Sequence, residues 1–504
     1  HDYPLLDIST TTASLKSIKY PMAGQKSEYG KVGIINLKTK KTVYLKTEHA
    51  RDDYVTNLTW GPNDKFIYIA ELNRDQNHLK WAQYDAISGK RIKTLFEEKN
   101  EKWVEPEHPL YFIDSKENEF VTLSEKDGFM NIYHYNTDGK LISQLTKNKW
   151  VISKIKHVTN DFIFFDGTGE DPRSMHTFSV NINTKKQIQI TKEEGVHRTK
   201  LSPNKKFLID QFSNVTVPGI TQIINIKSRK KTIFHVSDNP LEKYPKVNTE
   251  LLKIKSHDNV DLYARLIKPS FFDENKDYPV LVYVYGGPHA QLVNNSWMAS
   301  ASLWMHWMAE QGYLVFTLDG RGSQNRGFDF ESAIFRNLGD IEMKDQISGL
   351  DYLKSLKYVD SNRLAVHGWS YGGFMTTSLL TRYPDLFKVG VAGGPVIDWK
   401  WYEVMYGERY MDQPSNNKEG YENNSLLNYA KFLKSDLLLI HGTVDDVVVM
   451  QHNLAFVQKC VEEGIHVDFF PYPMHKHNVR GKERVHLMEK VLNYILSKNT
   501  IKEK

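Results

Sequence analysis

The stretch that decides the fold of the second half of the chain is Gly368-Trp369-Ser370-Tyr371-Gly372-Gly373. It follows an apolar run at 364–367, which predicts a strand, and it leads into a helical pattern at 373–382. A Gly-x-Ser-x-Gly motif between a strand and a helix is typical of a nucleophile elbow, whose glycines permit a sharp turn that exposes the serine hydroxyl. Ser370 is therefore the predicted nucleophile, at a helix N-terminus where developing negative charge is favoured.

Apolar strand patterns alternate with helical patterns on both sides of this motif. Such alternation indicates a parallel, doubly wound sheet that is covered by helices on both faces. The further strands are predicted at 280–285, 314–318, 389–392, 437–440 and 467–470, and the further helices at 340–356 and 453–462.

A nucleophilic serine needs a base that is oriented by an acid, and the chain order in this arrangement is serine, acid, histidine. The strand at 437–440 leads to Asp445 and Asp446, and the strand at 467–470 leads to His475 and His477. Functional groups lie beyond the carboxyl ends of parallel strands, so both loops are suitably placed. The spacing does not choose between the two aspartates or between the two histidines.

Two further features supply candidates for substrate contacts. The N–H of Tyr371 is one predicted oxyanion donor, and the loop at 284–289 offers a second, either a backbone N–H or the Tyr285 hydroxyl. The segment at 396–410 is rich in Trp and Tyr, and helical spacing would place Trp399, Tyr402 and Tyr406 on one face, as core or as an aromatic pocket. Glu403 among them could bind a cationic group, pair with Arg409 or lie on a solvated face.

The first half of the chain repeats one hairpin pattern. Its copies begin 49, 51, 45 and 44 residues apart, a period typical of four-stranded propeller blades and less easily explained by a β-sandwich. The chain begins with His1 rather than Met, and its first copy lacks much of a blade, so we expect N-terminal blades to lie outside this sequence. The copies lie at 35–45, 84–95, 135–145, 180–190 and 224–234.

The composition of the chain argues against several kinds of partner and bond. The net charge of +5 comes from 66 basic and 61 acidic side chains, too near balance to indicate nucleic acid or an anionic membrane as a partner. The longest apolar runs, such as 278–285, are far shorter than the roughly 20 residues of a transmembrane helix. A single cysteine, Cys460, excludes an intrachain disulfide.

No metal or cofactor is predicted. His475 and His477 could share a metal with His441 or His486, but carboxylate and cysteine partners at ligand spacing are absent from the sequence around them.

Taken together, these motifs resemble the prolyl oligopeptidase family of serine peptidases, most closely its dipeptidyl peptidase IV branch. Within that branch, 405–410 (MYGERY), His477-Asn478-Val479 and 484–487 (RVHL) are similar to the prolyl tripeptidyl peptidases of Bacteroidetes-type bacteria. The resemblance covers the whole chain. It implies a β-propeller, apparently incomplete at its N-terminus, over 1–240, and an α/β-hydrolase domain over 241–504.

The resemblance also implies a role for each candidate residue. It makes Ser370 the nucleophile, Asp445 the acid and His477 the base, with the Tyr285 hydroxyl and the Tyr371 N–H as oxyanion donors. It implies that Glu403 binds the amino terminus of the substrate. It also implies that the ring of the substrate's proline is held by a pocket made of Tyr371, Val396, Trp399, Tyr402, Tyr406 and Val448.

The activity that the resemblance implies is release of N-terminal tripeptides with proline at the third position. Val447 stands where dipeptidyl peptidase IV has an asparagine that contacts the substrate, which favours tripeptides over dipeptides. Removal of dipeptides is the alternative, and a binding propeller with an idle hydrolase domain is a second one. The resemblance further implies peptide substrates with a free N-terminus, a homodimer through the hydrolase domain, and a location in the periplasm or at the cell envelope.

Overall fold

The first half of the chain consists of antiparallel β-sheets in the computed structural model, which describes residues 1–500. Two hairpins come first, β1–β2 and β3–β4, and four four-stranded sheets follow, made by β5–β8, β9–β12, β13–β16 and β17–β20. The strands are β1 Asp2–Asp7, β2 Ser14–Lys19, β3 Gly33–Ile35, β4 Thr42–Tyr44, β5 Tyr54–Trp60, β6 Phe66–Leu72, β7 His78–Asp85, β8 Arg91–Lys99, β9 Tyr111–Ile113, β10 Lys116–Ser124, β11 Asn131–Asn136, β12 Leu141–Gln144, β13 Ile152–Val158, β14 Phe162–Gly167, β15 His176–Asn181, β16 Gln187–Gln189, β17 Val196–Leu201, β18 Phe207–Ser213, β19 Ile220–Asn225 and β20 Lys231–Val236.

The repeated hairpin of the sequence joins the last two strands of each unit. Each turn begins with Asn or Asp, whose side chain accepts a backbone N–H two or three residues later, as Asn181 Oδ1 does from Asn183 at 3.1 Å and Asp85 Oδ1 does from Ser88 at 2.7 Å. Each turn then places one residue in the left-handed region, such as Gly139 or Lys185. Four of the five copies close a four-stranded sheet, and the first closes the two-stranded β3–β4 unit. The predicted propeller architecture is confirmed.

The second half contains one eight-stranded sheet in the order β21-β22-β24-β23-β25-β26-β27-β28. The six predicted strands are its parallel part, and an antiparallel pair, β21 and β22, which the sequence patterns did not reveal, forms one edge. The strands are β21 Asn248–Lys255, β22 Asp261–Lys268, β23 Tyr278–Tyr283, β24 Leu314–Asp319, β25 Val359–Trp369, β26 Val389–Gly393, β27 Asp436–Gly442 and β28 Asp468–Tyr472.

Helices cover both faces of this sheet because its strands are apolar on both sides. Val280 and Val282 of β23 belong to one core, and Leu281 between them belongs to the other. This arrangement confirms the predicted α/β-hydrolase domain. The helices are α1 Leu303–Glu310, α2 Phe328–Glu331, α3 Ile341–Ser355, α4 Tyr371–Arg382, α5 Val404–Met411, α6 Lys418–Asn423, α7 Gln451–Glu462 and α8 Glu483–Lys498, with 3-10 turns at Pro62–Asp64, Trp297–Ser300, Ser332–Ile334, Trp399–Trp401 and Leu426–Phe432.

None of the helices found within residues 1–500 is both long and apolar enough to cross a membrane.

Candidate active site

Ser370 occupies the turn between β25 and α4 in a strained backbone conformation, with φ 61° and ψ −118°. The flanking glycines are required by close approach of the main chain. A Cβ atom on Gly368 would lie 2.2 Å from the carbonyl oxygen of Gly372, and one on Gly372 would lie 2.2 Å from that of Val284. The turn is further fixed by the Ser370 N–H, which donates to Gly393 O at 2.8 Å. This is the geometry of a nucleophile elbow.

The structure brings His477 and Asp445 together. His477 Nδ1 lies 2.7 Å from Asp445 Oδ2, while Asp445 Oδ1 accepts the N–H groups of Val447 and Val448 at 2.9 Å each. Burial raises the pKa of Asp445, but the hydrogen bonds from His441 and His477 outweigh that effect and hold this pKa well below its usual range. Asp445 is therefore ionised at neutral pH and can orient the His477 ring.

The two neighbours that the sequence left open lie elsewhere. Asp446 pairs with the exposed Lys476, on the surface side of the loop. His475 contributes its carbonyl oxygen to the N–H of Val444 at 3.1 Å, and its ring lies 5.9 Å from that of Tyr472. Neither residue contacts the Asp445–His477 pair through its side chain in the part of the chain described.

Tyr285 lines the same cavity as Ser370 and His477, which we call the catalytic cavity and which has a volume of about 300 Å³. Burial raises the pKa of the Tyr285 hydroxyl, so this group keeps its proton and remains a hydrogen-bond donor. The Tyr371 N–H lies in the first turn of α4, where amides have no acceptor within the helix. Both predicted oxyanion donors thus lie just beyond the carboxyl ends of parallel strands, as Ser370 does.

The six residues predicted to hold proline include a connected set of rings. The centroid of Trp399 lies 5.3 Å from that of Tyr371, 5.6 Å from Tyr402 and 6.3 Å from Tyr406. Val396 and Val448 are buried within the same core. We call these six residues the aromatic pocket, after the role predicted for them.

The expectation that Trp399, Tyr402 and Tyr406 share one helix is wrong. Trp399 lies in a 3-10 turn, Tyr402 is extended, and α5 begins only at Val404. The break occurs because Glu403 is the N-cap of α5, with its carboxylate accepting the N–H groups of Met405 and Tyr406 at 3.0 Å each. The rings still meet, because the turn and the helix fold toward each other.

Glu403 lines a second cavity of about 640 Å³ between the propeller and the hydrolase domain, which we call the amino-end cavity. Burial raises the pKa of Glu403, as expected for a carboxylate withdrawn from water. The predicted alternative, a salt bridge from Glu403 to Arg409, is not formed: Arg409 pairs instead with Glu105 of the propeller. Glu28 and Glu107 line the same cavity, so its wall is rich in carboxylates.

One buried neighbour of the elbow was missed by sequence reasoning. Glu342 on α3 is buried and accepts the Tyr371 hydroxyl at 2.5 Å and the Gly339 N–H at 3.1 and 3.0 Å. Burial raises the pKa of Glu342 to about 7. In the sequence this residue resembles any glutamate on a solvated helix face, and nothing local indicates that its partner is the residue after the nucleophile.

One group of metal-type side chains lies within the described residues, Glu193, His197 and Asp210 in the last blade. His197 Nδ1 lies 2.9 Å from Asp210 Oδ2, and its Nε2 lies 2.8 Å from the carbonyl oxygen of Glu193. Both ring nitrogens are therefore occupied by hydrogen bonds, and the group is a buried polar contact of the blade.

Comparisons with known proteins match both halves of the chain. The model of the prolyl oligopeptidase family matches residues 299–500, and that of the dipeptidyl peptidase IV N-terminal region matches residues 1–219. Dipeptidyl peptidase 8 of Mus musculus is 28% identical over 516 residues, which cover 89% of this chain and 57% of the relative. The chain thus spans little more than half the length of the curated relatives that it matches.

Two solved structures are similar over nearly the whole chain. The structure of a "putative dipeptidyl aminopeptidase IV" from Bacteroides ovatus shares 43% identity, with a TM-score of 0.96 over 99% of this chain and 74% of that one. Dipeptidyl peptidase 4 of Porphyromonas gingivalis shares 28% identity, with a TM-score of 0.93 over 99% of this chain and 71% of that one.

Proposed function

The chain belongs to the prolyl oligopeptidase family, and on that premise we propose that it is a serine aminopeptidase that cleaves after proline near a free peptide N-terminus. One observation carries this proposal. Ser370, His477 and Tyr285 line the same cavity, with Asp445 hydrogen-bonded to His477 behind them. A nucleophile, an oriented base and an oxyanion donor at one point are the components of acyl transfer.

The reaction follows from the chemistry of these groups. His477 takes the proton of Ser370 as the hydroxyl oxygen attacks the carbonyl carbon of proline, and Asp445 stabilises the imidazolium that forms. The Tyr285 hydroxyl and the Tyr371 N–H donate to the oxyanion of the tetrahedral intermediate. The intermediate collapses, the leaving amine takes the proton from His477, and the acyl-enzyme is then hydrolysed by water.

Selectivity for proline is supported by the aromatic pocket. A pyrrolidine ring is compact, apolar and lacks an N–H, so a site lined by Trp399, Tyr402 and Tyr406 buries it without leaving a donor unpaired. Val396 and Val448 are buried in the same core as these rings. A residue with a backbone N–H at this position would lose that group's hydrogen bond with water.

We propose further that the released product is a tripeptide with proline at its third position. The support is Glu403, which belongs both to the segment of the aromatic pocket and to the wall of the amino-end cavity. Its two oxygens each accept one backbone N–H, and a carboxylate has further lone pairs for an ammonium group. The cavity of about 640 Å³ offers space for residues that precede proline.

Release of dipeptides is a second candidate. The relatives named above are called dipeptidyl peptidases or aminopeptidases, and this supports the shorter product. The two candidates share Ser370, Asp445 and His477, and they differ only in how far the amine anchor lies from the scissile bond.

The distinguishing experiment uses chromogenic anilides of Ala-Ala-Pro, Ala-Pro and N-acetyl-Ala-Ala-Pro. We expect the free tripeptide anilide to give the highest kcat/KM, and acetylation to reduce it because the ammonium group at Glu403 is lost. Preference for Ala-Pro would replace the tripeptidyl assignment by the dipeptidyl one. Equal cleavage of the acetylated substrate would exclude an amine anchor, and absence of cleavage together with no phosphonate labelling would indicate an idle hydrolase domain.

Location and assembly complete the proposal. We propose that the protein acts in the periplasm or at the cell envelope and forms a homodimer through its hydrolase domain, in line with the family resemblance. Cell fractionation with an antibody and sedimentation equilibrium test these two points. Recovery in the cytoplasm, or a monomer at micromolar concentration, would contradict them.

A further inference from the structure

Helix α5 is attached to the propeller by side chains that lie more than 300 positions away in the chain. Gln76, in the loop between β6 and β7, is fully buried and donates through Nε2 to the carbonyl oxygen of Met405 at 2.6 Å. Its Oε1 accepts Arg409 Nε at 2.8 Å. Both polar atoms of the Gln76 side-chain amide thus form hydrogen bonds with α5, a helix of the hydrolase domain.

The backbone of this loop is strained where it supports the contact. Gln76 has a φ of 54°, a left-handed conformation that costs energy for a residue with a Cβ atom. A hydrogen bond from the Gln76 N–H to Asn73 O at 2.9 Å holds the turn closed. The strained turn therefore directs the Gln76 amide into the domain interface.

Arg74 of the same loop makes a bidentate contact with Glu408 of α5. Its Nε donates to Glu408 Oε2 and its Nη2 to Glu408 Oε1, at 2.8 Å each. Nη2 also donates to Gln25 O at 2.7 Å, and the Gly24 N–H donates to Glu408 Oε1 at 2.7 Å. Glu408 is buried, so this pairing fixes both orientation and register in a region withdrawn from solvent.

Glu105, which follows β8, completes the attachment. It pairs with Arg409 and accepts the Tyr410 hydroxyl at 3.1 Å. We call Arg74, Gln76 and Glu105 the propeller clamp. Together its members contact four of the eight residues of α5, namely Met405, Glu408, Arg409 and Tyr410.

The clamp matters because α5 carries substrate-contacting groups of the proposed reaction. Tyr406 belongs to the aromatic pocket, and Glu403 is the N-cap of the helix. A helix of eight residues is too short to keep its place by its own hydrogen bonds, so its position depends on what it packs against. The contact at its first residue, from the Val404 N–H to Pro21 O at 2.9 Å, also comes from the propeller side.

We infer that Arg74 and Gln76 are positioning residues that set the distance between the amine anchor and the scissile bond by fixing α5 against the propeller. This inference rests on the proposed peptidase function. It assigns selectivity at the amino end of the substrate to two propeller residues outside the triad, which act through Glu403 and Tyr406. Gln76 also lines the amino-end cavity, whereas Arg74 does not.

The test compares Arg74→Gln and Gln76→Met with a matched control, Arg91→Gln. Arg91 pairs with the buried Glu71 at 3.1 Å inside the same blade, and its side chain is exposed by 15% against 17% for Arg74. We expect kcat/KM on the preferred free peptide anilide to fall about 10- to 100-fold in both clamp variants, mainly through KM. Labelling of Ser370 by a small fluorophosphonate, which needs no amine anchor, should change less than about twofold, and Arg91→Gln should retain the KM of the wild type.

Hydrogen exchange of the amides of residues 404–411 provides a readout independent of turnover. We expect faster exchange in the clamp variants than in Arg91→Gln. Unchanged KM and unchanged exchange in folded Arg74→Gln and Gln76→Met would overturn the inference, and so would an equal rise of KM in Arg91→Gln. If Arg74→Gln fails to fold, Gln76→Met, which alters no charge, decides. Absence of peptide cleavage by the wild-type chain would instead count against the proposed function, and the exchange comparison would still decide on the clamp.

Discussion

The catalytic cavity and the amino-end cavity share no lining residue, and they are built in different ways. The groups of the catalytic cavity come from the carboxyl ends of parallel strands in one domain, each within a short local motif. The amino-end cavity combines Glu403 and Arg409 of the hydrolase domain with residues of the propeller such as Gln76 and Glu107.

This difference separates chemistry from selectivity. A triad needs a small number of atoms in fixed relation, and a rigid sheet edge supplies that relation within one domain. Selection of a peptide end needs a boundary at a set distance from the reacting atom, and in the proposed function the propeller provides it. Substitutions in the catalytic cavity should therefore abolish turnover, whereas substitutions in the amino-end cavity should change which peptides are cleaved.

The largest effect is expected at the nucleophile. Ser370→Ala should lower kcat on the order of 10⁶-fold without changing the thermal unfolding midpoint, because the hydroxyl that attacks is lost. Ser378→Ala is the matched control, since Ser378 is a buried serine of α4 whose hydroxyl has no hydrogen-bond partner within the described residues. A near-normal kcat in Ser370→Ala would show that peptides are not cleaved at the catalytic cavity.

The next effect separates two adjacent acids. Asp445→Asn should lower kcat about 10⁴-fold, because the amide favours the wrong tautomer of His477. Asp446→Asn, which breaks only the exposed pair with Lys476, should leave kcat within about twofold. Steady-state kinetics on the free peptide anilide measures both variants. The reverse order of effects would mean that the two aspartates have been assigned the wrong way round.

A smaller effect is expected in the amino-end cavity. Glu403→Gln should raise KM for the free peptide anilide about 10-fold or more, since a hydrogen bond to a charged group contributes about 1.5–3 kcal/mol. The ratio of kcat/KM between free and acetylated substrates is the diagnostic measurement, because weakening of the α5 N-cap alone would affect both substrates equally. An unchanged ratio would leave Glu403 as a helix cap only.

The smallest effect on turnover is expected at Glu342, where the prediction concerns stability and pH. The pKa of Glu342 is raised to about 7 by burial, whereas an unfolded glutamate has a pKa of about 4.3. The folded chain therefore holds an extra proton between these values, and this contribution to stability is complete below about pH 4.3 and lost as pH rises through about 7. Glu342→Gln does not ionise and should escape this loss.

Urea unfolding at pH 5 and pH 8 checks this prediction. Relative to the wild type, Glu342→Gln should gain stability between the two pH values, by up to roughly 3 kcal/mol. Glu489→Gln, at an exposed position on α8, is the control and should show no such gain. Parallel pH dependence of Glu342→Gln and the wild type would show that the buried carboxylate does not titrate in this range.

The difference between local motifs and contacts of distant residues explains how much of the structure could be predicted from the sequence. The elbow around Ser370 and the Asn- or Asp-initiated hairpins are local, so a few adjacent residues suffice to predict them. Asp445 and His477 each have a chemically equivalent neighbour, and only the family resemblance chose between them. The break between Trp399 and α5 was missed because side-chain spacing does not show that Glu403 prefers to cap a helix rather than continue one.

Other features were beyond prediction because their partners are distant in the chain. Arg74 and Glu408 are 334 positions apart, and each is an ordinary charged residue in its own segment. Glu342 lies 29 positions from Tyr371, and only the packing of α3 against α4 makes it a buried acceptor. The antiparallel strands β21 and β22 lie at the sheet edge, outside the alternation of strands and helices that indicated the parallel part.

The most direct test of the central claim is the site of covalent labelling by a peptidyl phosphonate. The chain would be reacted with Ala-Ala-proline diphenyl phosphonate and with its N-acetylated form, and the adduct located by peptide mapping and mass spectrometry. We predict one adduct, on Ser370, that forms more slowly with the acetylated reagent and is absent from Ser370→Ala. An adduct on another serine, or equal labelling by both reagents, would contradict a Ser370 peptidase that recognises the free amino end of its substrate.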